Sequence, residues 1–324
     1  MLPAAVEIVE VGPREGFQFE GIGRPDAITV ADKIRLIDAL GATGVRTMQI
    51  VSFVHPKQVP QMADAERILD ALVPVPGIRY TGISLNDVGL KRLAASPKLT
   101  MIPELVLSAS EAFALRNQKR DLAEDADAAR RMGDTYRALG RPVTVGNIMA
   151  AFGCNDEGPI ALGRVLERAD ILCDIAAATG GRLELLNLAD TMGWADPGLV
   201  QRSVRALRAR WPSMRIGLHL HDTRGLAVAN VYAALEEGID RFETAIGGLG
   251  GCPFAGNAGA AGNVATEEVA FLCQRLGVAT GLDLDALLSA AAVAEAVVGH
   301  GLASRLARSG LPASAKASAA AGAL

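Results

Sequence analysis

Short runs of β-branched and apolar residues alternate with longer stretches of helical period from one end of the chain to the other. Strands are predicted at 6–12, 45–53, 78–85, 104–110, 142–151, 182–190, 214–222 and 241–250. Between them lie amphipathic segments such as "VADKIRLIDALGATG" and "AVANVYAALEEG", each closing on a glycine suited to the residue after a helix. Eight β/α repeats predict an α/β protein built as a (β/α)8 barrel, with residues 264 to about 307 supplying additional C-terminal helices. Strand count alone also fits a doubly wound open sheet. The polar residues favour the barrel: Arg14, Gln49, Asn86, Ser108, Asn187, Asp190, His219 and His221 fall in or just after the last turns of their strands. In a barrel those ends converge on one face, where chemistry is done.

Composition narrows the classes. The chain has 324 residues, which a single α/β barrel accommodates; residues 1–310 are expected to form one barrel unit and 311–324 a frayed tail of small residues. A net charge of −4 without Lys/Arg blocks argues against a nucleic-acid partner. No apolar run reaches the roughly 18 residues of a membrane span, and the start lacks the basic and apolar regions of a secretory leader. Cys154, Cys173, Cys252 and Cys273 have neither metal-clip spacing nor the density of a disulfide scaffold, so a cytoplasmic setting is expected.

The sharpest local signal is "LHLHD". Residues i and i+2 of a strand share a face, so His219 and His221 point the same way and on an inward face could hold one ion. The spacing alone also fits two histidines that are merely buried and hydrogen-bonded. Asp222, facing the other way, suits a helix cap. Two imidazoles leave a site incomplete, and the missing oxygens are sought at other strand ends or in the glycine-rich run 247–263, "GGLGGCPFAGNAGAAGN", whose freedom suits a lid.

With "VGPREGFQFE", "SFVHPKQVPQM", "SASEAF" followed by Asn117, "LADTMGWADPG", "LHLHDTRGLAVANVYAALEEG" and "GLGGCPFAGNAGAAGNVATEE" in this order, the chain resembles the 3-hydroxy-3-methylglutaryl-CoA lyase family. The resemblance extends to the wider group of metal-dependent barrel lyases and Claisen-type synthases. It implies a retro-Claisen carbon–carbon lyase acting on a 3-hydroxyacyl-CoA, with hydroxymethylglutaryl-CoA, split to acetyl-CoA and acetoacetate, the leading substrate. A citramalyl-CoA type lyase or a condensing enzyme of the same fold is the alternative, and a non-catalytic barrel that binds CoA esters is the rival of another class. By position, the family's arginine that polarises the thioester falls on Arg14 and its metal-binding aspartate, a candidate base, on Glu15. The metal ligands become Glu15, His219, His221 and Asn263, and the lid cysteine that protonates the enolate becomes Cys252. Gln49 is expected beside Arg14, and Asn86, Ser108, Asn187 and Asp190 near substrate. A set of imidazole, carboxylate and amide suits Mg²⁺ or Mn²⁺, with Zn²⁺ or Co²⁺ as other candidates. A homodimer fits the resemblance.

The chain departs from the family pattern at three places. Glu15 stands for the usual aspartate, displacing the carboxylate by roughly 1–1.5 Å unless the backbone is set back. Neutral Gln49 stands for a glutamate, and the run between Cys252 and Asn263 is two residues longer than usual.

Overall fold

The computed structural model describes residues 1–20, 27–250 and 261–312. Ten strands follow in chain order: β1 (Glu7–Glu10), β2 (Thr47–Ser52), β3 (Arg79–Ile83), β4 (Glu104–Ser108), β5 (Val145–Met149), β6 (Gly153–Cys154), β7 (Gly158–Pro159), β8 (Leu185–Asp190), β9 (Arg215–Leu220) and β10 (Arg241–Thr244). Eight are parallel, in the order β3-β2-β1-β10-β9-β8-β5-β4, and all eight predicted strands are among them. β1 lies beside β10, with Glu7 opposite Arg241, so last strand meets first and the sheet curls into a barrel. Among the described residues no ladder joins β3 to β4. The short antiparallel pair β6–β7, inserted after β5, was not foreseen, because two-residue strands carry no periodic signal.

The connecting helices bury apolar stripes against the strands, and several of their starts are capped by side chains. Thr29 and Asp32 form a capping box at Val30–Gly41, as do Asp121 and Glu124 at Leu122–Ala138. The C-terminal helices appear at Thr266–Arg275, Leu284–Val298 and Arg305–Ser309, and Leu284–Val298 packs on Val30–Gly41. The expected tail lies mostly at 313–324, outside the described residues. No helix among those described is long and apolar enough to cross a membrane.

A barrel interior is usually filled by bulky aliphatic residues; here the axis is polar. Inward positions carry Glu104 and Arg241 near the amino-terminal ends of their strands, then Gln49, Asn147, Asn187 and Glu243, then His219. The polar column leads up to the mouth.

Candidate active site

Directly after β1 the chain makes a π-type turn over Gly12–Gly16, in which the carbonyl of Val11 accepts from the amides of both Arg14 (3.0 Å) and Glu15 (2.8 Å). Such wide turns recur at functional sites. This one is held from below by Glu10, fully buried, whose carboxylate accepts from Gly12 N at 2.7 Å, Ile246 N at 3.1 Å and Thr266 Oγ1 at 2.6 Å. Glu10 therefore ties the Arg14–Glu15 turn to the chain leaving β10 and to the helix that follows Asn263. Burial pushes its carboxyl up to about 7 against these three donors.

Glu15 Oε1 stands 3.2 Å from His219 Nε2 and 3.2 Å from His221 Nε2, and the two nitrogens are 3.1 Å apart. An atom bonded to all three at right angles would sit ~2.2 Å from each, within the range of divalent metal–ligand bonds. The extra methylene of Glu15 is thus absorbed by the turn, and its carboxylate reaches the histidines. All three side chains are buried, and they form the only metal-competent cluster of His, Cys, Asp and Glu found among the described residues.

The segment from Gly262 adds to the arrangement. Val264 N donates to Leu220 O at 2.9 Å and Asp222 N to Gly262 O at 2.7 Å, so Asn263 pairs with His221 across an antiparallel bridge. Its amide nitrogen donates to Leu249 O (3.1 Å), while its buried Oδ1 has no hydrogen-bond partner among the described residues. An orphaned amide oxygen beside two imidazoles and a carboxylate is what a hard cation requires as a further ligand. The donors present fit a divalent metal.

Supporting contacts orient these groups. His219 Nδ1 lies 3.1 Å from Glu243 Oε2, the carboxylate–histidine pairing common behind metal ligands. Burial opposes the charge on His219, but Glu15 and Glu243 outweigh it and hold the imidazole up to about 10. Burial likewise opposes ionisation of Glu15, yet His219 and Arg14 keep its carboxyl well below the ordinary range; Glu243, against the same penalty, is lowered to about 2 by His219 and Arg241. Arg14 Nη2 pairs with Glu15 Oε2 at 3.0 Å, and its Nε donates to Gln49 Oε1, so the neutral amide at position 49 still fixes the guanidinium. Arg14, Glu15, Gln49, Asn187 and His219 all line one cavity at the barrel mouth, with Val54, Ile83, Val106 and Met149 as apolar walls.

Three residues expected near substrate have other tasks. Asn86 caps Asp87–Ala94 by accepting from Gly89 N; Ser108 Oγ bonds Ser110 O at 2.7 Å; Asp190 accepts from the amides of Trp194 (2.7 Å) and Ala195 (3.0 Å). None of the three lines the cavity. Strand-end polar residues also serve as caps and turn clasps, which spacing does not separate from ligand binding. Asp222 does cap, accepting from Ala227 N at 3.0 Å. Cys252, with the rest of 251–260, lies outside the described residues. Glu104, Asn147 and Glu243 line the cavity and were not singled out; acidic residues at inward positions of otherwise apolar strands were the available signal.

Comparisons with known proteins bear on the chain as a whole. The HMGL-like family profile matches residues 5–294. The chain is 38% identical over 316 residues to (R)-citramalyl-CoA lyase of Chloroflexus aurantiacus, covering 94% of this chain and 95% of that one. It is 37% identical to the 3-hydroxy-3-isohexenylglutaryl-CoA/hydroxy-methylglutaryl-CoA lyase of Pseudomonas aeruginosa, covering 95% and 97%. A solved HMG-CoA lyase from Acinetobacter baumannii, in complex with coenzyme A and 3-methylmalate, superposes with a TM-score of 0.83 at 34% identity, covering 96% of each chain.

Proposed function

Since the chain belongs to the HMGL-like family and is a carbon–carbon lyase, we propose that it cleaves a 3-hydroxyacyl-CoA by a metal-dependent retro-Claisen reaction. Glu15, His219, His221 and Asn263 would hold the ion. The observation that carries this reading is the triangle of Glu15 Oε1 and the two histidine nitrogens, 3.1–3.2 Å on each edge, beside the orphaned oxygen of Asn263. A divalent cation there supplies Lewis acidity to the substrate hydroxyl and lowers its pKa.

The chain's own residues do the rest. As the hydroxyl proton passes to a base, for which Glu15 is the candidate by family position, the carbon–carbon bond breaks, the oxygen becomes a ketone and the bonding pair passes to the thioester half as an enolate. Arg14, held by Gln49 and Glu15, offers a permanently charged donor where negative charge grows on the thioester oxygen. A proton delivered to the enolate carbon completes acetyl-CoA, and by family position Cys252 is the candidate donor. Apolar Val54, Ile83 and Met149 exclude water from the acyl half.

Hydroxymethylglutaryl-CoA is the leading substrate, and the 38% identity to a citramalyl-CoA lyase makes citramalyl-CoA the second to test. Acetyl-CoA release should be measured with both thioesters in chelator-treated protein, before and after Mn²⁺ or Mg²⁺ is restored. Turnover should vanish without metal and return with it; undiminished turnover in the stripped protein would overturn the metal's role, and silence toward both thioesters the substrate class.

A further inference from the structure

Glu104 opens β4 at the bottom of the candidate active-site cavity, and no step above uses it. It lines the cavity together with Arg14, Glu15 and His219, lines two adjoining clefts as well, and is partly exposed although it is deep in the barrel. A hydrogen-bond chain fixes which of its oxygens is an acceptor. Arg241 can only donate, and its Nη1 does so to Asn187 Oδ1 at 2.9 Å. Asn187 must then turn its NH₂ outward, and it donates to Asn147 Oδ1 at 2.8 Å. Asn147 in turn donates from Nδ2 to Glu104 Oε2 at 3.0 Å. Oε1 of Glu104 accepts no hydrogen bond among the described residues, so when the carboxyl is neutral this oxygen is the one free to carry its proton.

We propose that Glu104 is a specificity-determining residue whose carboxyl O–H donates a hydrogen bond to the anionic end of the acyl group, selecting substrates with a carboxylate in the acyl half. This rests on the acyl-CoA lyase reading and adds to it the chemical class of the acyl group. The charges around Glu104 suit that role. Burial and the ionised Glu243 push its carboxyl up to about 7, against Asn147, Arg14 and Arg241. Tyr136 lies beside it on Leu122–Ala138, and Arg120 and Asp125 line the adjoining cleft. Neutral, Glu104 accepts a neighbouring anion; ionised, it repels one.

The test uses 3-methylmalate as probe, since its binding needs no turnover and its two carboxylates stay ionised between pH 6 and 8. Titration calorimetry at saturating Mn²⁺ compares the wild type with Glu104→Gln and Glu104→Leu. A carboxyl near 7 is about 90% neutral at pH 6 and about 10% at pH 8, so the wild-type Kd should rise about tenfold across that interval. Glu104→Gln presents its oxygen to Asn147 and an NH₂ to the cavity at every pH, so the slope should disappear. Glu104→Leu should bind about tenfold or more weakly at pH 6. A wild-type slope that persists in Glu104→Gln, or tight binding by Glu104→Leu, would overturn the proposal; should the leucine variant fail to fold, the glutamine variant decides alone. A pH-dependent probe site in a protein that cleaves neither thioester would refute the lyase substrate and leave Glu104 standing.

Discussion

Shortening Glu15 by one methylene tests the geometry of the site most directly. In Glu15→Asp the carboxylate would retract by ~1.3–1.5 Å. A centre ~2.2 Å from Oε1 and from both Nε2 atoms would then lie ~3.5 Å from the nearest carboxylate oxygen, far outside the ~0.2 Å tolerance of a metal–ligand bond. The backbone cannot easily follow. Its turn is anchored by two amides on Val11 O, at 3.0 and 2.8 Å, and by Glu10 on Gly12 N at 2.7 Å. The variant should therefore lose the anionic ligand outright, although aspartate is the residue its relatives' pattern calls for. Partners one step behind a metal already control affinity by 10–100-fold, so loss of a direct carboxylate should weaken Mn²⁺ binding at least ~100-fold, or roughly 2.7 kcal/mol. Calorimetric titration of chelator-treated protein reads this, with circular dichroism confirming that the variant is folded. A Glu15→Asp protein that binds Mn²⁺ within threefold of wild type would refute the idea that the π-type turn compensates for the longer side chain.

Two further substitutions probe the supports. Glu243→Gln removes the carboxylate 3.1 Å from His219 Nδ1 and should weaken Mn²⁺ by 10–100-fold in the same titration, whereas an unchanged Kd would show that His219 needs no such partner. Gly12→Ala would place a Cβ 2.6 Å from Glu10 Oε1, displacing the acceptor of two buried amides. At about 1–3 kcal/mol for each lost partner, urea unfolding should show ~2–6 kcal/mol of destabilisation, and a change under 0.5 kcal/mol would mean that Glu10 is not the clasp described.

The strands were legible because each is a short apolar run closed by turn residues, and such runs survive translation into structure largely unchanged. That His219 and His221 share a face was legible because strand period two puts residues i and i+2 on the same side; whether they hold an ion was not. The reach of Glu15 was not, since it depends on a turn type that residue identity does not dictate. Glu104, Asn147 and Glu243 escaped for another reason. They sit mid-strand or at strand starts, where an acidic or amide residue looks like a solvated edge until closure of the barrel turns it inward. Asn86, exposed, and Asp190, buried, show the converse: polar residues at strand ends whose described bonds go to backbone amides.

The missing ladder between β3 and β4 bears on how such a barrel diversifies. Ile83, Ser84 and Leu85 follow β3, while Val106 lies on β4 and Asn117 and Gln118 follow it; together these two groups make one side of the cavity wall. Elsewhere around the ring, widening the cavity would stretch rows of interstrand hydrogen bonds. At this seam no strand ladder is present among the described residues, and Thr100 N donates to Tyr80 O at 2.8 Å near the strand starts, so the spacing at the mouth can drift by substitution without breaking the sheet. Acyl groups as different as methyl- and isohexenyl-bearing ones, named for a single relative, become neighbours in sequence space across such a seam. The width of the cavity can then change at the β3–β4 seam while Glu15, His219 and His221, carried at the ends of β1 and β9, keep their places.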